Sequence, residues 1–134
     1  MPRSKILIID DDDLVAGTLV HSLKGEFDVT AIHDAHQALD RVLSDPSIDL
    51  VYCDLMMRGL SGMDIYEQVR ARAPDYLPKL VFMTGGAFTK RATAFVEEVS
   101  DSVVYKPFSI VTETRRRLGL PSASTSAPRP DQRR

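Results

Sequence analysis

The 134-residue sequence contains a single cysteine, Cys53, and no tryptophan. With one cysteine, no disulfide can form within the chain, and no group of cysteine and histidine residues has the spacing of a zinc site. The sequence also lacks an apolar run long enough to span a bilayer or to act as a secretion signal. We therefore expect a protein of the reducing cytoplasm that has no membrane partner.

The sequence has little excess charge of either sign. Its 17 Lys and Arg residues against 19 Asp and Glu residues give a formal net charge of -2. No overall basic field is therefore available to attract nucleic acid or an anionic membrane surface. We expect any functional charge to be local, and we predict no direct contact with nucleic acid.

Length and composition indicate one folded domain followed by a tail. A chain of this length is sufficient for one hydrophobic core, but not for a second domain of ordinary size. From residue 121 onwards the sequence is rich in Ser, Pro, Ala and Arg and has no apolar periodicity, which is typical of disordered segments. We predict a domain over residues 1–120 and a disordered tail over residues 121–134.

Strand and helix patterns alternate along the predicted domain. Short apolar runs rich in β-branched residues predict strands over residues 5–9, 27–32, 48–53, 79–84 and 102–105. Apolar residues at helical spacing predict helices over residues 14–25, 35–45, 62–73, 88–100 and about 109–118, the first capped by Asp12 or Asp13 and ended by Gly25. This alternation favours an α/β fold with a doubly wound parallel sheet, because parallel neighbours need helical crossovers.

Polar residues stand at the carboxyl ends of the predicted strands. Asp10 and Asp11 follow the first strand, Asp54 follows the third, Thr84 ends the fourth and Lys106 follows the fifth. In a doubly wound sheet these ends meet at one edge, where ligands bind. We therefore expect three carboxylates, a hydroxyl and an ammonium to lie close together.

The chemistry of this group of residues favours a magnesium ion and a phosphoryl group. Neighbouring carboxylates raise one another's pKa unless a cation neutralises them. Oxygen ligands without a soft donor select a hard divalent ion, and Mg²⁺ leaves coordination positions open for phosphate oxygens. A lysine and a threonine hydroxyl suit phosphoryl oxygens, and a carboxylate can act as the nucleophile. Asp54 is the predicted nucleophile, because Asp10 and Asp11 form a pair.

Four motifs resemble the receiver domain of bacterial two-component response regulators. They are IIDD (8–11), LVYCDLMMRGLSG (50–62), FMTGG (82–86) and YKPF (105–108), and the resemblance extends from Lys5 to about Leu118. Each motif alone is weak, and the specificity lies in their order and spacing. The resemblance implies a flavodoxin-like or CheY-like sheet of five parallel strands in the order 2-1-3-4-5.

The resemblance implies a Mg²⁺ site. It implies that Asp11 binds the ion directly and that Asp10 acts through water, with Asp54 as a further ligand. Met56 matches the position whose backbone carbonyl completes the metal site.

The resemblance also implies a phosphorylation switch and no enzymatic activity beyond slow autodephosphorylation. Asp54 matches the phosphoacceptor, Thr84 the switch hydroxyl and Lys106 the lysine that pairs with the phosphoryl group. The implied partners are a histidine kinase or phosphotransfer protein and a downstream protein whose identity the sequence leaves open.

Three features depart from the family pattern. Arg58 stands where proline is common after the phosphoacceptor, Val103 stands where many members carry an aromatic residue, and the small pair Gly85 and Gly86 follows Thr84. The stretch from Met83 to Phe108 is also similar to receivers at the carboxyl ends of hybrid sensor kinases. A free-standing regulator and a terminal receiver of such a kinase therefore both stay open.

Two alternative functions also stay open. A haloacid-dehalogenase-like phosphatase uses a similar set of residues, but it requires an Asp two residues after the nucleophile, where this sequence has Met56, and a different order of motifs. A phosphate-independent module that only presents a binding surface would keep the fold without using the site.

Overall fold

The computed structural model describes residues 3–86 and 89–121. Within these ranges five strands alternate with five α-helices. In chain order they are β1 (Lys5–Ile9), α1 (Asp13–Leu23), β2 (Asp28–Ile32), α2 (Ala35–Ser44), β3 (Leu50–Asp54), α3 (Gly62–Arg72), β4 (Leu80–Thr84), α4 (Lys90–Glu98), β5 (Val103–Tyr105) and α5 (Ile110–Arg117). Short 3₁₀ segments, Pro74–Lys79 and Ser100–Ser102, precede β4 and β5. The tail predicted over residues 121–134 lies outside the described residues except for Pro121, so its disorder stays a prediction.

The five strands form one parallel sheet in the order β2-β1-β3-β4-β5. This confirms the predicted doubly wound α/β fold and the strand order. The register decides which strand ends meet: Ile9 of β1 pairs with Cys53 of β3, and Thr84 of β4 pairs with Tyr105 of β5. Asp10 and Asp54 follow the first pair, and Lys106 follows Tyr105 of the second. The register therefore brings these three residues to the same edge of the sheet.

The sheet is buried on both faces because its strand residues alternate between two apolar clusters. One cluster packs β-strand side chains against α2, α3 and α4, and it includes Leu7, Ile9, Val51, Cys53 and Phe82. The other packs the intervening side chains against α1 and α5, and it includes Ile6, Ile8, Tyr52, Val81 and Met83. Burial on both sides explains why the inner strands β1, β3 and β4 read as continuous apolar runs, whereas the edge strand β2 is partly exposed and includes Asp28 and Thr30.

Side-chain caps fix where several helices begin. Asp12, one of the two residues predicted to cap α1, does so by accepting hydrogen bonds from the N–H groups of Leu14 and Val15, and Asp13 is the first residue of the helix. Ser61 and Asp64 form a reciprocal capping box at the start of α3. Helix α1 ends at Leu23, and Gly25 does not adopt the left-handed conformation of a glycine cap. The predicted capping role of Gly25 is therefore wrong, because the chain turns through Lys24 in a right-handed helical conformation.

Candidate functional site

Three carboxylates converge at the carboxyl edge of the sheet. Asp10 and Asp11 follow β1, and Asp54 is the last residue of the neighbouring strand β3. One carboxylate oxygen of each residue lies within 4.8 Å of the others. The structure thus places together the three acids that the sequence singles out.

Lys106 extends its ammonium into this acidic cluster. Its Nζ lies 3.0 Å from Asp54 Oδ1 and 3.7 Å from Asp10 Oδ2. The backbone holds the residue in place, since the Lys106 N–H donates a hydrogen bond of 2.8 Å to the carbonyl of Thr84 at the end of β4. The peptide bond between Lys106 and Pro107 is cis.

Asp10 is the most deeply buried of the three acids, with 1% of its side chain exposed. Its Oδ1 accepts a hydrogen bond of 2.9 Å from the Asp12 N–H. Its Oδ2 is buried and has no hydrogen-bond partner among the described residues. Burial therefore raises the pKa of Asp10 above its ordinary value, although the Asp12 N–H and the Lys106 charge oppose this effect.

Burial also raises the pKa of Asp54, and the nearby Asp10 charge adds to this effect, whereas the hydrogen bond from Lys106 opposes it. Burial by itself would lower the pKa of the Lys106 ammonium, but the neighbouring Asp54 and Asp10 carboxylates outweigh this effect, and the pKa is raised. The lysine is therefore a permanent positive charge at neutral pH. The two buried acids retain an unmet demand for positive charge that a cation would satisfy.

Asp11 has a different partner. Its Oδ2 accepts hydrogen bonds from the backbone N–H of Arg58, at 3.1 Å, and from Arg58 Nε, at 3.3 Å. These bonds lower the pKa of Asp11, with the backbone N–H contributing most. Arg58 departs from the family pattern, but nothing in the sequence pattern predicted this contact. The available signal was a positive charge in the loop that follows Asp54.

Thr84 is the last residue of β4, the strand next to β3, and its hydroxyl is turned to the backbone of its own loop. Its Oγ1 donates to the carbonyl of Gly86 at 2.9 Å and accepts from the Gly86 N–H at 3.0 Å. The residue is 2% exposed. Met56 lies in the loop between β3 and α3, two residues after Asp54, and its side chain is exposed.

Two further residues at this edge carry no predicted role. His33 follows β2, and its Nδ1 lies 3.2 Å from the Asp10 carbonyl and 3.1 Å from Asp13 Oδ1. Gly62 is the first residue of α3 and packs against the end of β3. A Cβ added to it would lie 2.9 Å from the Asp54 carbonyl oxygen. Sequence spacing gives no signal for the histidine contact, whereas a glycine soon after a strand end is a signal for close backbone approach.

The donor set suits a hard divalent ion. It consists of carboxylate oxygens, one of them buried without a hydrogen bond, and it contains no nitrogen or sulfur ligand. Cys53 is adjacent in sequence, but it lies in the core, where burial raises the pKa of its thiol well above the ordinary value. The thiol is therefore a small buried apolar group, as the sequence analysis expects.

The chain belongs to the response regulator receiver domain family, whose model matches residues 6–114. The DNA-binding response regulator MtrA of Mycolicibacterium smegmatis is 37% identical over 120 residues, which cover 87% of this chain and 51% of that protein. The response regulator MprA of Mycobacterium avium is 34% identical over 107 residues, which cover 79% of this chain and 46% of that protein. The chain thus spans about half the length of the curated relatives it matches.

Solved structures support the fold independently. A CheY-like receiver domain protein from Methanospirillum hungatei superimposes with a TM-score of 0.73 at 18% identity, covering 87% of this chain and 94% of that one. Family and fold together identify a signalling domain of two-component systems, which favours the switch interpretation over the phosphatase. Across residues 3–86 and 89–121, no helix is both long and apolar enough to cross a membrane.

Proposed function

We propose that this domain is a phosphorylation switch in which Asp54 accepts a phosphoryl group from the phosphohistidine of a histidine kinase or phosphotransfer protein. The observation that carries the proposal is the acidic cluster with Lys106 held 3.0 Å from Asp54. Asp54 is the acid suited to attack, because Asp10 is 1% exposed and Asp11 is hydrogen-bonded by Arg58, whereas Asp54 is 13% exposed and has the Lys106 ammonium beside it.

Mg²⁺ would be held by Asp10, Asp11, Asp54 and the backbone carbonyl of Met56. When bound, the ion neutralises charge on the oxygens of the transferring phosphoryl group. The unpartnered Oδ2 of Asp10 supports this assignment, because a buried carboxylate oxygen without a donor is relieved by a cation.

The transfer itself requires Asp54 as nucleophile and Lys106 as counter-charge. A carboxylate oxygen of Asp54 bonds to phosphorus while the bond from phosphorus to the histidine nitrogen breaks, and the electron pair stays on the imidazole, which takes a proton from water. Lys106 then pairs with the phosphoryl oxygens in place of the free carboxylate. The domain is a switch rather than an enzyme, with at most slow hydrolysis of its own aspartyl phosphate.

Thr84 is proposed to transmit the new charge to the loop after β4. Its hydroxyl now bonds the carbonyl and the N–H of Gly86. A phosphoryl oxygen is a stronger acceptor than a neutral carbonyl, so the hydroxyl would leave Gly86 and release the loop. The released loop would alter the surface that a downstream protein binds.

The output of the switch is proposed to be a protein contact. MtrA is named a DNA-binding regulator, and the matched region covers 51% of its length. We propose that the receiver domain itself makes no direct contact with nucleic acid and that any such binding belongs to a partner or to a further region of a longer protein.

The proposal is tested by the intact mass of the protein after incubation with acetyl phosphate, with Mg²⁺ and with a chelator. The variants are Asp54→Asn and, as a matched control, Asp40→Asn on the exposed side of α2. We expect a phosphoryl adduct that requires Mg²⁺, is retained in the control and is lost in Asp54→Asn.

Two results would contradict the proposal. An adduct that persists in Asp54→Asn would place the acceptor elsewhere. No adduct in the parent protein, with either acetyl phosphate or a phosphorylated histidine kinase as donor, would favour the phosphate-independent binding module.

A further inference from the structure

Arg58 contacts Asp11 through two separate donors. Its backbone N–H and its Nε both donate to the same oxygen, Asp11 Oδ2, at 3.1 Å and 3.3 Å. A proline at position 58 would supply neither donor, because proline has no N–H and no charged side chain. The contact is therefore a property of this chain's own sequence at that position.

Arg58 adds a second protein cation to the acidic cluster, so that two positive charges face three carboxylates when no metal is bound. Lys106 lies beside Asp10 and Asp54, and Arg58 lies beside Asp11. Each carboxylate of the cluster thus already has a cation of the protein as neighbour. A divalent ion that binds Asp11 Oδ2 must take that oxygen from the guanidinium, or must lie next to a like charge.

The Arg58 side chain is free to move away. It is 91% exposed, whereas Asp11 is 25% exposed. An ion pair with one fully hydrated partner is weak, because water replaces the partner at little energetic loss. The guanidinium therefore competes with a metal ion but does not exclude it.

We infer that Arg58 is an internal counter-ion that competes with Mg²⁺ for Asp11 Oδ2 and thereby sets the Mg²⁺ concentration at which the site fills. This inference rests on the proposed function, since it assumes that Asp11 binds the ion. The residue does not touch the reacting atoms, so its role is to determine metal affinity rather than to take part in phosphoryl transfer. Removal of the guanidinium is expected to tighten Mg²⁺ binding about two- to fivefold, which is the strength typical of an exposed ion pair.

The experiment is a Mg²⁺ titration of the metal-free chain, followed by amide chemical shifts in NMR spectra, which needs no phosphorylation. The variants are Arg58→Ala and Arg58→Gln, which remove the charge, and Arg58→Lys, which keeps it without the planar Nε donor. Arg70→Ala, in the last turn of α3, is the control for loss of one positive charge.

We expect Arg58→Ala and Arg58→Gln to bind Mg²⁺ more tightly than the parent, with Arg58→Lys in between and Arg70→Ala unchanged. The difference should shrink at high NaCl concentration, because salt screens an exposed ion pair. Equal dissociation constants for the parent and Arg58→Ala would overturn the inference and leave the metal site intact. Equal tightening in Arg70→Ala would overturn it as well, whereas no Mg²⁺ binding in any protein would overturn the metal site and the inference together.

Discussion

The ammonium of Lys106 lies 3.0 Å from Asp54 Oδ1, although 52 residues separate the two along the chain. The pairing arises from the parallel sheet, which brings the ends of β3 and β5 to one edge with β4 between them. The same ammonium lies 3.7 Å from Asp10 Oδ2. One positive charge therefore lies beside two carboxylates that are largely removed from water, and it can neutralise only one of them.

Lys106→Ala should destabilise the metal-free fold, because it leaves two poorly solvated carboxylates without their cation. We expect a loss of about 1–2 kcal/mol, which is less than for a fully buried pair because the lysine is partly exposed. Mg²⁺ should restore most of this loss, since it neutralises the same carboxylates. The measurement is urea unfolding in chelator and in excess Mg²⁺, with the exposed Lys24→Ala as the control. A loss that is the same with and without Mg²⁺ would argue against a metal at these acids.

Gly62 is the point at which α3 touches β3. A Cβ at this position would lie 2.9 Å from the Asp54 carbonyl oxygen and 3.0 Å from the Leu55 Cα, and neither backbone atom can yield easily. Gly62→Ala should therefore destabilise the domain by about 1–3 kcal/mol, as overpacking in a core does.

Gly17 offers a matched control for this substitution. It lies on the exposed side of α1 with no atom within 4 Å of an added Cβ. Gly17→Ala should stabilise the domain by up to about 1 kcal/mol, because alanine is a better helix former. Urea unfolding of both variants measures the difference, and effects of the same sign would contradict the assigned close approach at Gly62.

The fold and the acidic cluster were largely predictable from the sequence. Apolar runs such as residues 5–9 report strands buried on both faces, and the carboxyl-end rule for parallel sheets then places Asp10, Asp54 and Lys106 together. Only the order of the strands needed the family resemblance. The boundary of β3 was displaced, since the strand covers Leu50–Asp54 rather than residues 48–53, so that Asp54 belongs to the strand itself.

The contacts of individual side chains were not predictable in the same way. The bond between Asp11 and Arg58 depends on the path of the loop after β3, and the bond between Thr84 and Gly86 depends on a backbone turn. Neither follows from periodicity, because loop conformation is set by local geometry rather than by a repeating pattern. Tyr52 likewise reads as one more apolar strand residue, although its hydroxyl has a specific partner.

The hydroxyl groups of Tyr52 and Thr114 form a buried hydrogen bond of 2.7 Å between β3 and α5. Tyr52→Phe leaves the Thr114 hydroxyl without its partner and should cost about 1–2 kcal/mol, and Thr114→Val should have a similar effect. The double variant should lose less than the sum, because both polar groups are then absent. Urea unfolding of the four proteins gives the coupling energy, and strict additivity would show that the hydrogen bond contributes nothing to stability.

Asp10→Asn should stabilise the metal-free domain at neutral pH, because it removes a carboxylate whose burial opposes ionisation. In the folded parent the pKa of Asp10 is above its ordinary value of 3.8, chiefly through burial, so the folded state binds a proton more readily than the unfolded chain does. Protonation of Asp10 therefore stabilises the folded parent as the pH falls through the folded pKa. This gain is complete below pH 3.8, the ordinary pKa, because the unfolded chain then binds the proton as well.

The asparagine variant has no such proton to bind, so its advantage over the parent should be largest at neutral pH and should shrink on acidification. The measurement is urea unfolding of both proteins in chelator between neutral and acid pH. Hydrogen bonds lower the pKa of other acids, such as Asp11 and Asp64, so protonation of these groups destabilises both folded proteins on acidification. This destabilisation is common to the parent and the variant and cancels in the difference between them. An advantage that stays constant with pH would show that relief of the buried charge is not its cause, and a less stable variant at neutral pH would show that the Asp10 carboxylate supports the fold even without a metal.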